Sequence, residues 1–184
     1  MSAHGEQGGP GILFITGGAR SGKSGFVLRD ALNRNGRKLF IATAEPLDRE
    51  MRERIEHHKN ERGGVWETHE APVGITDALT TLGAGCQVVV IDCLTLWLSN
   101  LMHRGLDIER EMNHLVETLQ SLRHSVRVYI VSNEVGMGIV PDNELGRAFR
   151  DAAGRANQRI AEIADQVYMV VSGIPVKIKE GISD

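Results

Sequence analysis

Gly17-Gly18-Ala19-Arg20-Ser21-Gly22-Lys23-Ser24 fits the phosphate-binding loop pattern G-x-x-x-x-G-K-[ST]. Its flanks fit as well. Ile12-Leu13-Phe14-Ile15-Thr16 is a short apolar run with β-branched residues, as a buried strand requires. Beyond Ser24, the residues Phe26, Val27, Ala31 and Leu32 recur near helical spacing. Gly17 and Gly22 provide backbone angles that a Cβ would resist. The N–H groups of the loop then turn inward on phosphate oxygens, reinforced by the N-terminus of the following helix. In that arrangement Lys23 reaches the β and γ phosphates and Ser24 holds Mg²⁺. The plain alternative is a glycine turn ahead of an ordinary helix, and the two correct flanks weigh against it.

Working outward, strands and helices alternate. Strand candidates are Lys38 to Thr43, Val65 to Glu70, Val88 to Ile91, Val126 to Val131 and Val167 to Val171. Helical stretches are Asp48 to Arg62, Pro72 to Leu82, Leu94 to Met102, Ile108 to Arg123 and Asn143 to Ala164. Val88-Val89-Val90-Ile91 is apolar without interruption, so it reads as a central parallel strand covered on both faces. Val176-Lys177-Ile178-Lys179 alternates with period two, which suits a solvated edge strand. The expectation is an α/β fold of the P-loop NTPase kind, a mostly parallel sheet covered by helices with a C-terminal edge strand.

The 184 residues suit one domain with a real core. Residues 1–11 are polar and glycine-rich and read as a flexible leader, leaving 12–184 as a single nucleotide-binding catalytic domain. A net charge of −3 provides no basic field to recruit nucleic acid. Cys86 and Cys93 have no metal-ligand spacing and no signal peptide precedes them, so reduced thiols in the cytoplasm are expected. No apolar run approaches the ~20 residues of a membrane span.

In open α/β sheets, ligands bind beyond the carboxyl ends of the strands. Thr43 to Glu45, Asp92, and Asn133 with Glu134 all fall there. Asp92 fits either the second Mg²⁺-binding acid of phosphate-loop enzymes or a turn-capping residue. The apolar, glycine-rich Val135-Gly136-Met137-Gly138-Ile139-Val140-Pro141 reads as a substrate loop or a plain connection. Within the charged helix, Met51, Ile55, His58 and Arg62 share one stripe, while His57 points about 100° aside. If one of the two histidines faces inward with the apolar anchors, it is His58. Arg54 and Arg62, one turn either side, would favour anions and keep the imidazole neutral and nucleophilic. Simple packing of His58 is the ordinary reading of such a residue, and a His57–His58 metal pair is disfavoured because adjacent helical residues diverge. On the last helix Arg147, Arg150, Gly154, Asn157 and Gln158 form a polar face, open to phosphate recognition, solvation or a subunit contact.

Together these residues resemble the bifunctional adenosylcobinamide kinase / adenosylcobinamide-phosphate guanylyltransferase family of cobalamin biosynthesis, from Ile12 to Lys179. The resemblance is carried by Thr16-Gly17-Gly18-Ala19-Arg20-Ser21-Gly22-Lys23-Ser24, Ile41-Ala42-Thr43, Arg54-Ile55-x-x-His58 and Trp66-x-Thr68-x-Glu70. It continues in Asn133-Glu134-Val135-Gly136-Met137-Gly138-Ile139-Val140-Pro141 and Phe149-Arg150-Asp151-x-x-Gly154-Arg155-x-Asn157-Gln158. It ends in Val171-Ser172-Gly173-Ile174-Pro175-Val176-Lys177-Ile178-Lys179. The asparagine-led and C-terminal segments are far more specific than the phosphate loop.

The resemblance implies a RecA-like fold, a homotrimer, and two reactions. ATP or GTP phosphorylates adenosylcobinamide. GTP then guanylylates His58, and the GMP passes to adenosylcobinamide phosphate to give adenosylcobinamide-GDP. Nucleotide contacts carried over from the family are the phosphate loop, Ala42, Thr43, Ala44, Lys59, Asn60, Glu61, Arg62, Glu70 and Asp92, with Ser24 and Asp92 as the Mg²⁺ ligands and Lys23 catalytic. A monofunctional small-molecule kinase with a structural His58, or a non-catalytic nucleotide switch, are the rival readings.

Overall fold

The computed structural model describes residues 9–46, 48–83 and 85–180, excepting the side chains at 50, 54, 57, 58, 61 and 62. Seven strands form one sheet in the order β3-β2-β4-β5-β1-β6-β7. They are β1 Gly11–Thr16, β2 Lys38–Ala42, β3 Glu67–Glu70, β4 Val88–Asp92, β5 Arg127–Val131, β6 Gln166–Val171 and β7 Ile174–Lys179. The first six run parallel and β7 returns antiparallel to β6. The helices are α1 Lys23–Leu32, α2 Arg49–Arg62, α3 Ile75–Ala78, α4 Leu94–His103, α5 Ile108–Leu122 and α6 Glu144–Ile163. Sheet and helices thus follow the expected alternation. No helix among the described residues is long and apolar enough to cross a membrane.

The centre of the sheet is buried because its strands have no polar face. Every residue of β1, and all of β4 except Asp92, is out of solvent. Alternate residues serve two layers. Ile12, Phe14, Ile41, Ile91 and Ile130 pack against α3–α6, with Trp97, Leu115 and Ile160 beneath them. Leu13, Ile15, Phe40, Val90 and Val131 pack under α1 through Val27 and Ala31. Each fully buried aliphatic side chain in these layers contributes roughly 1.5–3 kcal/mol by removal from water.

The helix starts are written in the sequence. Asp48, Asn143 and Asp107 accept hydrogen bonds from the N–H groups of Met51, Gly146 and Arg110, at 2.7, 2.7 and 3.1 Å. Three boundaries differ from expectation. The segment 72–82 becomes helical only at Ile75, behind Pro72 and Gly74, and widens into a π turn over Leu79–Gly83. β3 begins at Glu67 because Gly63–Val65 forms a short 3₁₀ turn. β1 begins at Gly11, inside the segment read as leader, where its N–H donates to Val126 O. Residues 1–8 of that segment lie outside the described residues.

The loop after β1 sits against the β6–β7 turn. Ser172 and Gly173 both have positive φ (51° and 83°), the signature of a tight two-residue hairpin turn. Gly173 N–H donates to Ser21 O at 2.8 Å. A Cβ on Gly17, whose φ is +141°, would lie 2.3 Å from Val170 O. Gly17→Ala should therefore destabilise the fold by about 2 kcal/mol or more, since both the angle and a backbone atom oppose it. A fall in the denaturant midpoint tests this. An unchanged midpoint would show that the loop can move off β6 at no cost.

Candidate active site

At the carboxyl ends of the central strands lies a cleft of about 980 Å³. Arg20, Ser21, Gly22, Lys23 and Ser24 line one side, and Asp92, Val131 and Asn133 form the floor. Parallel pairing brings these groups together: Ala42 is opposite Asp92, and Asp92 opposite Val131.

The loop is locked by its own lysine. Lys23 is buried, and its Nζ donates to Gly17 O at 2.8 Å and Gly18 O at 2.6 Å. Two carbonyls that would otherwise oppose an anion are thereby satisfied by a cation. Gly22 (φ 96°) starts α1 without a side-chain cap, so the first N–H groups of that helix stay available to a ligand. Arg20 also takes a left-handed conformation (φ 57°) at the tip of the loop. Ser24 Oγ donates to Asp92 Oδ2 at 2.8 Å. The hydroxyl and the strand-end acid, distant in sequence, form one pair of hard oxygen donors. That donor set fits Mg²⁺, which takes one or two protein oxygens and completes its shell with phosphate and water. No group of three or more His, Cys, Asp or Glu among the described residues could hold a metal unaided.

The other expected residues divide. Ala42, Ala44 and Glu70 line the cleft. Thr43 does not: it is fully buried, and its Oγ1 donates to Cys93 O and accepts from Cys93 N–H, both at 2.8 Å. It splices β2 to the start of α4, and Asn100 Nδ2 completes the joint by donating to Thr43 O and Pro72 O. Lys59 forms an exposed ion pair with Glu70 at 2.6 Å, a contact worth little in solvent. Asn60 is exposed on α2. The side chains of His58, Glu61 and Arg62 lie outside the described residues. Met51 and Ile55, which share a stripe with His58 and Arg62, are half-buried and line the cleft.

Cys93 lines the floor, yet burial and the neighbouring Asp92 carboxylate push its pKa up to about 11, so it stays a thiol. Sequence reading missed the apolar wall formed by Leu28, Leu32, Phe40 and Leu96. Leu28 and Leu32 are four apart on α1, a spacing that signals a shared face, but nothing local says that face meets a ligand. It also treated the polar residues of α6 alike. Arg147 turns back on Pro141 O and Asp142 O, and Arg150 pairs with Asp151, whereas Asn157 is buried and bonds Ser132 and Asn133.

Asp92→Asn keeps the shape and removes the charge. It should raise the Mg²⁺ concentration needed to bind a fluorescent nucleoside triphosphate by about tenfold or more. An unchanged Mg²⁺ titration would reduce Asp92 to a partner for Ser24.

The fold is similar to that of the RadB recombinase crystal structure (TM-score 0.50, 13% identity, 88% of this chain and 74% of that one). At that identity the likeness speaks for the RecA-like architecture alone. Sequence relatives are nearer. The bifunctional adenosylcobalamin biosynthesis protein CobU of Salmonella typhimurium is 41% identical, over 91% of this chain and 99% of its own length. CobU of Escherichia coli is 38% identical over the same shares. CobP of Pseudomonas aeruginosa, also described as a bifunctional adenosylcobalamin biosynthesis protein, is 41% identical over 90% and 95%. Residues 13–178, nearly everything between the phosphate loop's strand and the end of β7, match cobinamide kinase / cobinamide phosphate guanyltransferase, and the chain belongs to that family of bifunctional enzymes.

Proposed function

We propose that this one cleft serves both reactions for which the family is named, with His58 as the covalent carrier of GMP. In the kinase step the aminopropanol hydroxyl of adenosylcobinamide attacks the γ-phosphorus of ATP or GTP. In the second, an imidazole nitrogen of His58 attacks the α-phosphorus of GTP, and pyrophosphate leaves. The phosphate of adenosylcobinamide phosphate then takes the GMP, giving adenosylcobinamide-GDP and free histidine. A covalent carrier divides one difficult exchange into two in-line displacements.

The observation that carries this reading is that Met51 and Ile55 face the same cleft as Lys23 and Asp92. They belong to the helical stripe that includes His58, which supports assigning that position the role of nucleophile. Lys23 and Arg20 bring positive charge to the phosphates. Ser24 and Asp92 would hold Mg²⁺, which when bound supplies further positive charge to the triphosphate. The cleft-lining Glu70 carboxylate suits the N–H edge of guanine, with Ala42 and Ala44 lining the same cleft, and the family's further nucleotide contacts at Lys59, Asn60, Glu61 and Arg62 belong to the last turn of α2.

The reading extends to a single catalytic domain over 12–184, a cytoplasmic location and a homotrimer. One continuous sheet and two free, buried cysteines support the first two. Exposed Val171, Ile174, Val176 and Ile178 on the β6–β7 edge, with Met137, Ile139 and Val140 on the loop after β5, support the third, because such apolar surface usually meets a partner. Light scattering should return the mass of three chains. A fully active monomer refutes the assembly.

The histidines provide the decisive test. GTP labelled at the α-phosphate should label wild type and His57→Ala, and mild acid should release the label, as it does from a phosphoramidate. His58→Ala should not label, yet should still phosphorylate adenosylcobinamide, because that step uses the substrate hydroxyl. Normal labelling of His58→Ala overturns the assignment. A wild type that phosphorylates adenosylcobinamide and never labels is a monofunctional kinase.

A further inference from the structure

Asn133 lies where the acceptor of the kinase step must enter. It follows β5, the strand between the one that ends in Asp92 and the one that leads into the phosphate loop. Val131 pairs with both Asp92 and Ile15, and Glu134 N–H donates to Gly17 O at 3.0 Å. Asn133 is therefore pinned between the loop and the strand-end acid, half-buried, on the floor of the cleft with Lys23, Ser24 and Asp92.

Most of its hydrogen-bonding capacity is committed away from the cleft. Its backbone N–H and its Nδ2 both donate to Thr95 Oγ1, at 3.3 and 3.1 Å. Its carbonyl accepts from Asn157 Nδ2 at 3.2 Å. Thr95 and Asn157 are themselves buried and fixed. Thr95 Oγ1 is 3.2 Å from Cys93 Sγ, which can receive its proton, and Asn157 Oδ1 accepts from Ser132 Oγ at 2.7 Å. With the Thr95 oxygen accepting from a backbone N–H, the side-chain amide is oriented by the network, nitrogen toward Thr95 and oxygen the other way. Among the described residues, nothing donates to that oxygen. Two helices thus hold a single neutral acceptor beside the phosphate-binding groups.

We infer that Asn133 Oδ1 accepts the hydrogen bond of the attacking hydroxyl and aims its oxygen at the γ-phosphorus, with Thr95 and Asn157 as positioning residues. The inference rests on the kinase half of the function proposed above. An amide is not a base, so its work is orientation. The hydroxyl oxygen forms a bond to the γ-phosphorus as the bridging bond to the β-phosphate breaks. The electron pair leaves on the β-phosphate, and the hydroxyl proton passes to a phosphate oxygen or to water. A neutral acceptor suits this place because a carboxylate would repel the triphosphate. Immediately after Asn133 comes the loop with exposed Met137, Ile139 and Val140, an apolar surface over which a bulky acceptor can lie. Leu28 and Leu32 on α1, with Met51 and Ile55 on α2, add apolar lining to the same cleft.

The test measures both reactions on each variant, after thermal melts confirm folding. Asn133→Ala should lower kcat for phosphoryl transfer to adenosylcobinamide about a hundredfold, because the acceptor loses its aim. Its KM for the nucleotide should stay within about twofold, and guanylylation of His58, whose nucleophile is not a hydroxyl, should fall by less than about threefold. Thr95→Val should reproduce part of the kcat loss, and Thr95→Ser, which keeps the oxygen, should restore it. Equal losses in the two reactions, or a shifted Mg²⁺ titration, would make Asn133 a scaffold or metal-shell residue and overturn the inference. An unchanged kcat in Asn133→Ala overturns it outright. A wild type with no kinase activity overturns the functional reading instead, and this inference with it.

Discussion

The seat of the phosphate loop is set where two backbones meet without room for a side chain. Gly17 passes so near β6 that no Cβ fits beneath Val170 O, and a Cβ on Gly22 would lie only 3.1 Å from Gly173 Cα. The phosphate loop is therefore seated on the β6–β7 hairpin rather than hanging from β1. Gly173 N–H fixes Ser21 O from outside, while Lys23 Nζ satisfies Gly17 O and Gly18 O from within. With its carbonyls engaged, the loop can present N–H groups to phosphate. The hairpin also bears exposed apolar residues on the sheet edge. If a neighbouring subunit covers that edge, as proposed, it braces the same turn that braces the loop. Assembly and nucleotide binding then share one mechanical support.

A second constraint lies beneath the floor. Strands that end at a ligand leave polar backbone groups without sheet partners, and these must be satisfied in low dielectric. Here buried side chains do it. Thr43 closes β2 onto Cys93, Asn100 holds Thr43 O and Pro72 O, and Asn157 joins Ser132 to Asn133. Each of these residues is polar for the sake of the scaffold, yet each fixes a neighbour that faces the cleft. Thr43 illustrates the distinction. It falls within a family signature at a site strand, but its hydroxyl points into the joint. Ala42 and Ala44 are the residues on the cleft side.

What could be read from sequence alone follows from the range of the interactions. The loop was legible because glycine spacing, the Lys-Ser pair and both flanks are contiguous. Strand and helix order was legible because burial on two faces leaves unbroken apolar runs such as Val88 to Ile91. The place of Asp92 near the phosphate loop needed only the general rule that sites lie at strand ends, whereas its hydrogen bond to Ser24 was not legible. The contact of Gly17 with Val170 was not legible: the two are far apart in sequence, and nothing local to either announces it. Nor was the inward turn of Asn157. Its spacing matches that of Arg147, Arg150 and Gly154, and only the position of α6 over Ser132 separates it from them. The late start of α3 was written in Pro72 and Gly74, but an apolar helical period masked it.

Two transfers, each from its own bound triphosphate, need two nucleophiles in different places, since one reaction is at the γ-phosphorus and the other at the α-phosphorus. The cleft is built unsymmetrically in that sense. One wall is formed by α1 and α2, apolar through Leu28, Met51 and Ile55, and α2 carries the histidine. The other is the end of β5, polar through Asn133 and rigid through α4 and α6. The hydroxyl of a large acceptor needs a fixed guide, because the substrate must be brought to a triphosphate already bound. A histidine on the enzyme needs no recruitment, only a helix that faces the phosphate loop. On the proposed reading, β5 provides the guide and α2 provides the helix. The single set of charges at Lys23, Ser24 and Asp92 then serves whichever nucleophile is in line.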